Sequence, residues 1–546
     1  MNRWSEKKQK NRIKTQFGKN PMDMENWESL QLRMYEIEMY EQRRRKTFNQ
    51  EWVDDVTWND LEMDRVFARI NHTRTYMGEQ ILYHRLHGCK NRQKLQRMEK
   101  RIAFFSCQES SRIKVEEKLS HIGKQKENYY LPLFLMDEIN WPVTSCIGLY
   151  LQQVLLVICL AGTVLVRSNV WGLGLLVVAT VNLLIYLHAK NKYEGNLFAV
   201  ANMKVALDFC NWMIKSFEGN QLYADEEILQ ALEKTRKLAK QMGRWQARKY
   251  QSVTGDLTGI VQDYLAGVTL YDIVAFCHIE KALRKCRKET LQLYEFVGDV
   301  DTDIAIASFR KSLTNWCSPM IQKSGSIRLE KICHPLMDDG VANSIELRKG
   351  AIFTGANASG KSTFMKAVAI NVILAQTIHT CVAKNVKMPT IKVMTSMALR
   401  DDVVQKESYY MREMKYLKRM LDEIEKGEPV LFVIDEILKG TNTRERLGAS
   451  KAILSYMAQK PGFLLVATHD LELVKAEEDL YETYYFDSQI CGKDIIFPYK
   501  MKQGIAVRTN AIDLMEMMDF PKEITDKARI ESAHLLKANY AWADVQ

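Results

Sequence analysis

"AIFTGANASGKST", residues 351–363, decides how the chain is read. It fits the pattern G-x-x-x-x-G-K-[ST], with Gly355, Gly360, Lys361 and Ser362 at the fixed positions. A strand-like apolar run leads into it, and a helical run, "TFMKAVAINVILAQ", follows. That is the context in which such a loop wraps a phosphate. Backbone N–H groups from Gly355 through Ala356, Asn357, Ala358, Ser359 and Gly360 turn inward, and the helix start at Lys361, Ser362 and Thr363 adds its positive dipole end. Lys361 places a cation on the β- and γ-phosphates of ATP, and Ser362 offers an oxygen to Mg2+.

Two later stretches complete the chemistry. In "PVLFVIDEILKGTNT", an apolar strand ends on Asp435 and Glu436. Asp435 is expected to hold Mg2+, and Glu436 to polarise the attacking water, so the site reads as that of an ATPase. "FLLVATHD" gives another strand, ending at His469, which can sense the γ-phosphate or the water. From about Ile327, short apolar runs alternate with helical ones. This predicts an α/β P-loop NTPase domain over residues 326–546, with a largely parallel sheet.

The chain upstream reads as helical. Residues 1–50 form a basic arm and a helix. Residues 51–140 are helical, with Leu61, Val66, Phe67 and Ile70 at helical spacing and a cap near Thr73–Thr75. Residues 190–325 are helical again. There Ile228, Leu229, Leu232 and Leu238 are expected on one apolar face, and the stretch from Leu283 to Leu313 reads as one long helix or two. Between these regions, residues 145–189 hold two apolar runs joined at Arg167–Ser168–Asn169. No charged residue occurs from Ile139 to Val166, and Arg167 is the only one before Lys190. Each run has the roughly 20 residues that a bilayer span needs. A two-span transmembrane hairpin is expected, with the basic flanks, and so both termini, on the cytoplasmic side.

Composition sets wider bounds. The 546 residues are 47% hydrophobic and 26% charged, which are globular proportions, and carry a formal net charge of +10. A basic excess of that size fits a nucleic acid or an anionic membrane surface equally. The 11 cysteines include no C-x-x-C pair, so they read as reduced thiols in a reducing compartment. The start, "MNRWSEKKQKNRIKTQFGKN", lacks an apolar core and reads as a solvated arm rather than a signal peptide.

The set "GANASGKSTFMKAVAINVILAQ", "DEILKGTNT" and "ATHDLEL" resembles the ATPase domain of the MutS family of mismatch-repair proteins. "CHPLM" (Cys333–Met337), "KESYYMREM" (Lys406–Met414) and "GIAVRTNAIDLMEMMDFPKEITDKAR" are similar to further family segments, so the likeness covers about residues 327–532. "INHTRTYMGEQILYHRLHG" and "FVGDVDTDIAIASFRKSL" resemble the start of the family's core, or lever, region and its returning helix. The resemblance implies a homodimer through the ATPase domains, with Ser408 reaching the nucleotide held by the partner's Lys361, and it implies DNA as ligand. The sequence also departs from the family. Lys406 stands where the family often has Gly, no Phe-x-Glu mismatch-reading segment is found, and an apolar hairpin interrupts the helical region. The expectation is a membrane-anchored, ATP-driven, DNA-binding protein that meets DNA mainly through phosphates. The alternative is an ABC-like transport or membrane-remodelling ATPase without a DNA role.

Overall fold

The computed structural model describes residues 3–48, 52–88, 92–136, 146–166, 168–217, 225–252, 264–356, 358–397, 409–491, 494–505 and 511–543. The chain forms two compact units. One comprises Met1–Gln50, Ile70–Arg85 and Gln96–Ser312; the other comprises Glu51–Arg69, Leu86–Leu95 and Leu313–Gln546.

The first unit is helical. Its centre is the pairing of residues 76–85, in the helix Tyr76–His87, with the helix Arg287–Ser312. Glycine permits their close approach: a Cβ at Gly298 would lie 2.3 Å from Ile81 Cγ1, and one at Gly78 2.3 Å from Asp301 Oδ2. Asp301 then caps the facing helix. Its carboxylate accepts from the backbone N–H of Arg74 at 3.0 Å and of Thr75 at 2.8 Å, and from the Thr75 hydroxyl at 2.7 Å. Arg85, fully buried, donates to Asp303 at 2.8 Å and also pairs with Asp299. The two stretches with the likeness to a lever region therefore pack on each other.

Glu79, on the same helix, is fully buried. Arg33 at 2.9 Å, Lys124 at 2.7 Å and Asn71 at 2.8 Å donate to it, as does Tyr129. Burial raises its pKa, but Lys124 and Arg33 outweigh burial and hold the carboxyl at about 2.

The helices Cys146–Val166 and Asn169–Ser216 form the apolar hairpin, and Ser168 caps the second. The stretches Ile147–Val166 and Asn169–Ala189 are long and apolar enough to cross a membrane. Only 11% and 17% of their apolar windows are buried. The second helix does not stop where the apolar stretch ends. It runs on for 48 residues in all, about 72 Å at 1.5 Å per residue. Its C-terminal part buries Met203, Leu207, Cys210 and Met213 in the helical body.

The helix Glu226–Ser252 corrects one expected face. Ala231, Thr235, Leu238 and Met242 are buried, while Leu229 is 44% exposed. The small Ala231 and Thr235, not Leu229, share the i, i+4, i+7 stripe with Leu238. The stretch from Leu283 to Leu313 is divided at Cys286 between the helices Tyr271–Lys285 and Arg287–Ser312.

The second unit holds the α/β domain. Its strands are β1 (Met320–Gln322), β2 (Ile327–Ile332), β3 (Asn343–Leu347), β4 (Gly350–Gly355), β5 (Asn385–Pro389) and β6 (Lys392–Ser396). They continue with β7 (Val430–Asp435), β8 (Gly462–Ala467), β9 (Glu482–Phe486), β10 (Gln489–Cys491), β11 (Asp494–Ile496) and β12 (Met501–Gln503). The main sheet has the order β12-β9-β4-β8-β7-β6 and is parallel except for β12. β4, β7 and β8 are buried at every residue but one end each, because both faces are covered. A second sheet, β1-β5-β2-β3, is mixed and was not legible as a separate layer.

Residues 54–60 cover the β6 edge of the main sheet. Asp60 accepts from the Thr395 hydroxyl at 2.7 Å and the Met397 N–H at 2.9 Å, and Arg419 donates to Asp54 at 2.7 Å. Covering an edge in this way blocks pairing with another strand.

Candidate nucleotide site

β4 delivers the loop. Gly355 ends it at φ +136°, and a Cβ there would meet the Phe486 carbonyl at 2.6 Å, so only glycine fits. Ala358 at φ +63° and Gly360 at φ +104° turn the chain, and the helix Lys361–Thr377 starts at once. The Lys361 ammonium donates to the carbonyls of Gly355 at 2.8 Å and Ala356 at 2.9 Å. Burial lowers its pKa, with Asp435 opposing and Lys439 reinforcing. The Ser359 hydroxyl is fully buried and has no hydrogen-bond partner among the described residues.

A cavity of about 640 Å³ opens beside this loop. Ala358, Ser359, Gly360, Lys361, Ser362 and Thr363 line one side, and Asp435, Glu436 and Lys439 face it. His334, Phe486 and Tyr499 supply flat walls. Burial, reinforced by Lys366, holds the His334 imidazole at a pKa of about 4, so it is neutral at pH 7.

The acidic half comes from β7. Asp435 is its last residue, and Glu436 follows in a left-handed conformation at φ +62°, with Leu438 at φ +59°. Non-glycine residues in that region cost about 1 kcal/mol each. Here the turn aims Glu436 into the cavity while its N–H stays bonded to the Ala467 carbonyl at 2.9 Å. One Glu436 oxygen pairs with Lys439 at 2.8 Å, and the other lies 3.2 Å from His469 Nε2. Burial, Lys361 and Lys439 lower the His469 pKa against the pull of Asp435 and Asp470, so the ring is neutral at pH 7.

Glu413 was not singled out from the sequence. It sits on the helix Tyr409–Ile424 and is 1% exposed. Its carboxylate accepts from the Lys439 N–H at 3.2 Å. Burial raises its pKa against the opposing pull of the Lys439, Leu438 and Gly440 N–H groups. It therefore holds the strained turn that carries Glu436. The signal was available: Tyr410, Glu413, Leu417, Met420 and Ile424 follow a 3-4-3-4 spacing, which puts an acid on the apolar stripe.

Of the residues expected at the site, Ala358 through Thr363, Asp435 and Glu436 share the cavity wall. Gly355 and Ala356 anchor Lys361, and His469 reaches the cavity through Glu436. Asn357 and Ser408 lie outside the described residues.

The same part of the chain is similar to known proteins. A family model described as MutS domain V matches residues 351–536. A DNA mismatch repair protein MutS of Aquifex pyrophilus is 27% identical over 263 residues, covering 45% of this chain and 30% of the relative. The protein of the same name from Natronomonas pharaonis is 30% identical over 243 residues, covering 42% and 28%. That of Lysinibacillus sphaericus is 25% identical over 284 residues, covering 50% and 33%. The matched region thus spans about a third of the length of these relatives. The part of the chain that carries this site, residues 351–536, is thus similar to domain V of the MutS family.

Proposed function

We propose that the chain is a Mg2+-dependent ATPase, anchored in a membrane by its apolar hairpin and acting on DNA as a homodimer. One observation carries the ATPase reading: a loop lysine, a strand-end aspartate and a glutamate touching a histidine converge on one cavity. Lys361 and the helix N-terminus behind it are suited to phosphate charge. Ser362 and Asp435 are hard oxygen donors on the same wall, which suits Mg2+. When bound there, the ion would neutralise charge on the phosphates. Glu436 is the base that orients water. His469, being neutral, holds one Glu436 oxygen without adding a second positive charge beside it. The flat walls at Phe486 and Tyr499 suit a purine ring.

The membrane reading rests on the exposure and length of the two apolar stretches. The continuous helix Asn169–Ser216 would carry motion between bilayer and helical body without a joint. DNA comes from the relatives' names and from the net charge of +10. The test is ATP turnover by purified protein in lipid vesicles, with and without duplex DNA. Turnover stimulated by DNA supports the reading. Turnover that responds to lipid but ignores DNA removes the DNA role and favours the transport or remodelling alternative.

A further inference from the structure

The hairpin carries amides inside its apolar stretches, and two of them have the same target. Gln153 Nε2 donates to the Thr269 carbonyl at 2.8 Å, and Asn182 Nδ2 donates to the Val268 carbonyl at 2.8 Å. These carbonyls lie just before a break. A helical turn over residues 264–269 ends at Leu270, which is left-handed at φ +53°, and the helix Tyr271–Lys285 begins directly after it. A broken helix frees carbonyls, and inside hydrocarbon each must find a donor. The break and the amides account for each other.

The position of the contact fixes its depth. Gln153 is six residues inside the stretch that starts at Ile147, and Asn182 is seven residues before the stretch ends at Ala189. At 1.5 Å per residue both lie about 9–11 Å from the hairpin's open end. The packing there is close: a Cβ on Gly267 would come within 3.0 Å of the Tyr186 ring. Leu270, Val274 and Cys277 bury against Leu149 and Tyr186. On the outer side Tyr264 and Leu265 are 61% and 57% exposed, beside a hairpin surface that is itself apolar and exposed.

Building on the membrane reading of the hairpin, we propose that residues 264–270 are a third membrane-inserted element: a re-entrant break in a helix, clamped by Gln153 and Asn182 and covered outside by lipid acyl chains. The alternative cover, a second copy of this chain, is an outcome of the test.

The test places a photo-crosslinking benzoylphenylalanine in turn at Leu265, at Val164 within the hairpin, and at Leu229 on the exposed face of the helix Glu226–Ser252. The full chain is reconstituted in phosphatidylcholine–phosphatidylglycerol vesicles, illuminated and weighed by mass spectrometry. Lipid adducts are expected from Leu265 and Val164 but not from Leu229. In a variant carrying Asn182→Leu and Gln153→Leu, the Leu265 adduct should fall by roughly an order of magnitude, the scale set by losing two interhelical hydrogen bonds, while the Val164 adduct stays. Adducts from Val164 without any from Leu265, or a Leu265 crosslink to another protein copy, overturn the third element and leave the hairpin in the membrane. No adduct at either position overturns both. An undiminished Leu265 adduct in the double variant overturns the clamp.

Discussion

Glu436 occupies a left-handed backbone position and touches both Lys439 and His469. The charge of the carboxylate, more than its size, defines its proposed role. Glu436→Gln should therefore keep ATP binding and reduce turnover by about a hundredfold or more, the usual scale for losing a positioned base. A nucleotide-binding assay beside a phosphate-release assay separates the two effects. Lys361→Ala should act earlier and abolish binding itself, since the loop then loses its only side-chain cation on the cavity wall beside the helix start. These residues were legible because each follows closely on a buried strand, Glu436 next after β7 and Lys361 at the helix start after β4, where spacing along the chain fixes position in space. Glu413 was not read from the sequence, because an acid on a helix is usually solvated and here its partners are backbone N–H groups 26 residues away. Glu413→Ala should lower turnover while leaving nucleotide affinity near its original value. Glu413→Gln, which keeps an acceptor oxygen, should recover most of the loss.

Elements were legible where pattern is local. β4, β7 and β8 carry continuous apolar runs, and the helix Tyr409–Ile424 carries a clear apolar stripe. The mixed sheet was not, because β1 has three residues and its partner β5 lies more than sixty residues on. The pairing of residues 76–85 with the helix Arg287–Ser312 also depends on long-range contacts, through Gly78, Gly298 and Asp301. Gly298→Ala should destabilise this pair by about 1–3 kcal/mol, the usual cost of overpacking, and lower the melting temperature. Glu79 gives the same body an acid sensitivity. Its carboxyl is held at about 2 against an ordinary value of 4.5, so its stabilisation is fully present above pH 4.5 and is lost as pH falls toward 2. The amount is on the order of 3 kcal/mol. Denaturant titrations at pH 5 and pH 3 should show about half of that loss in the native chain, and Glu79→Gln should flatten the difference.

At the scale of the whole molecule, the sequence marked an ATPase region and an apolar hairpin, but not the rod that continues from one apolar stretch into the helical body. Hydropathy changes at residue 190 while the helix does not, because charged and apolar residues propagate a helix alike. Neither did it show what the amides Asn182 and Gln153 of the hairpin bind, since their partners lie 86 and 116 residues away. If DNA is met through phosphates, its affinity should fall linearly with the logarithm of salt concentration, and a flat titration would remove that contact. Hydrolysis at the cavity shared by Lys361, Asp435 and Glu436 has a direct measurement: Mg2+-dependent phosphate release from ATP by the vesicle-reconstituted chain, compared with its Glu436→Gln variant. Turnover is expected in the first, and in the second bound ATP with turnover nearly gone. Equal turnover in both, or no ATP bound by either, would contradict hydrolysis at this cavity.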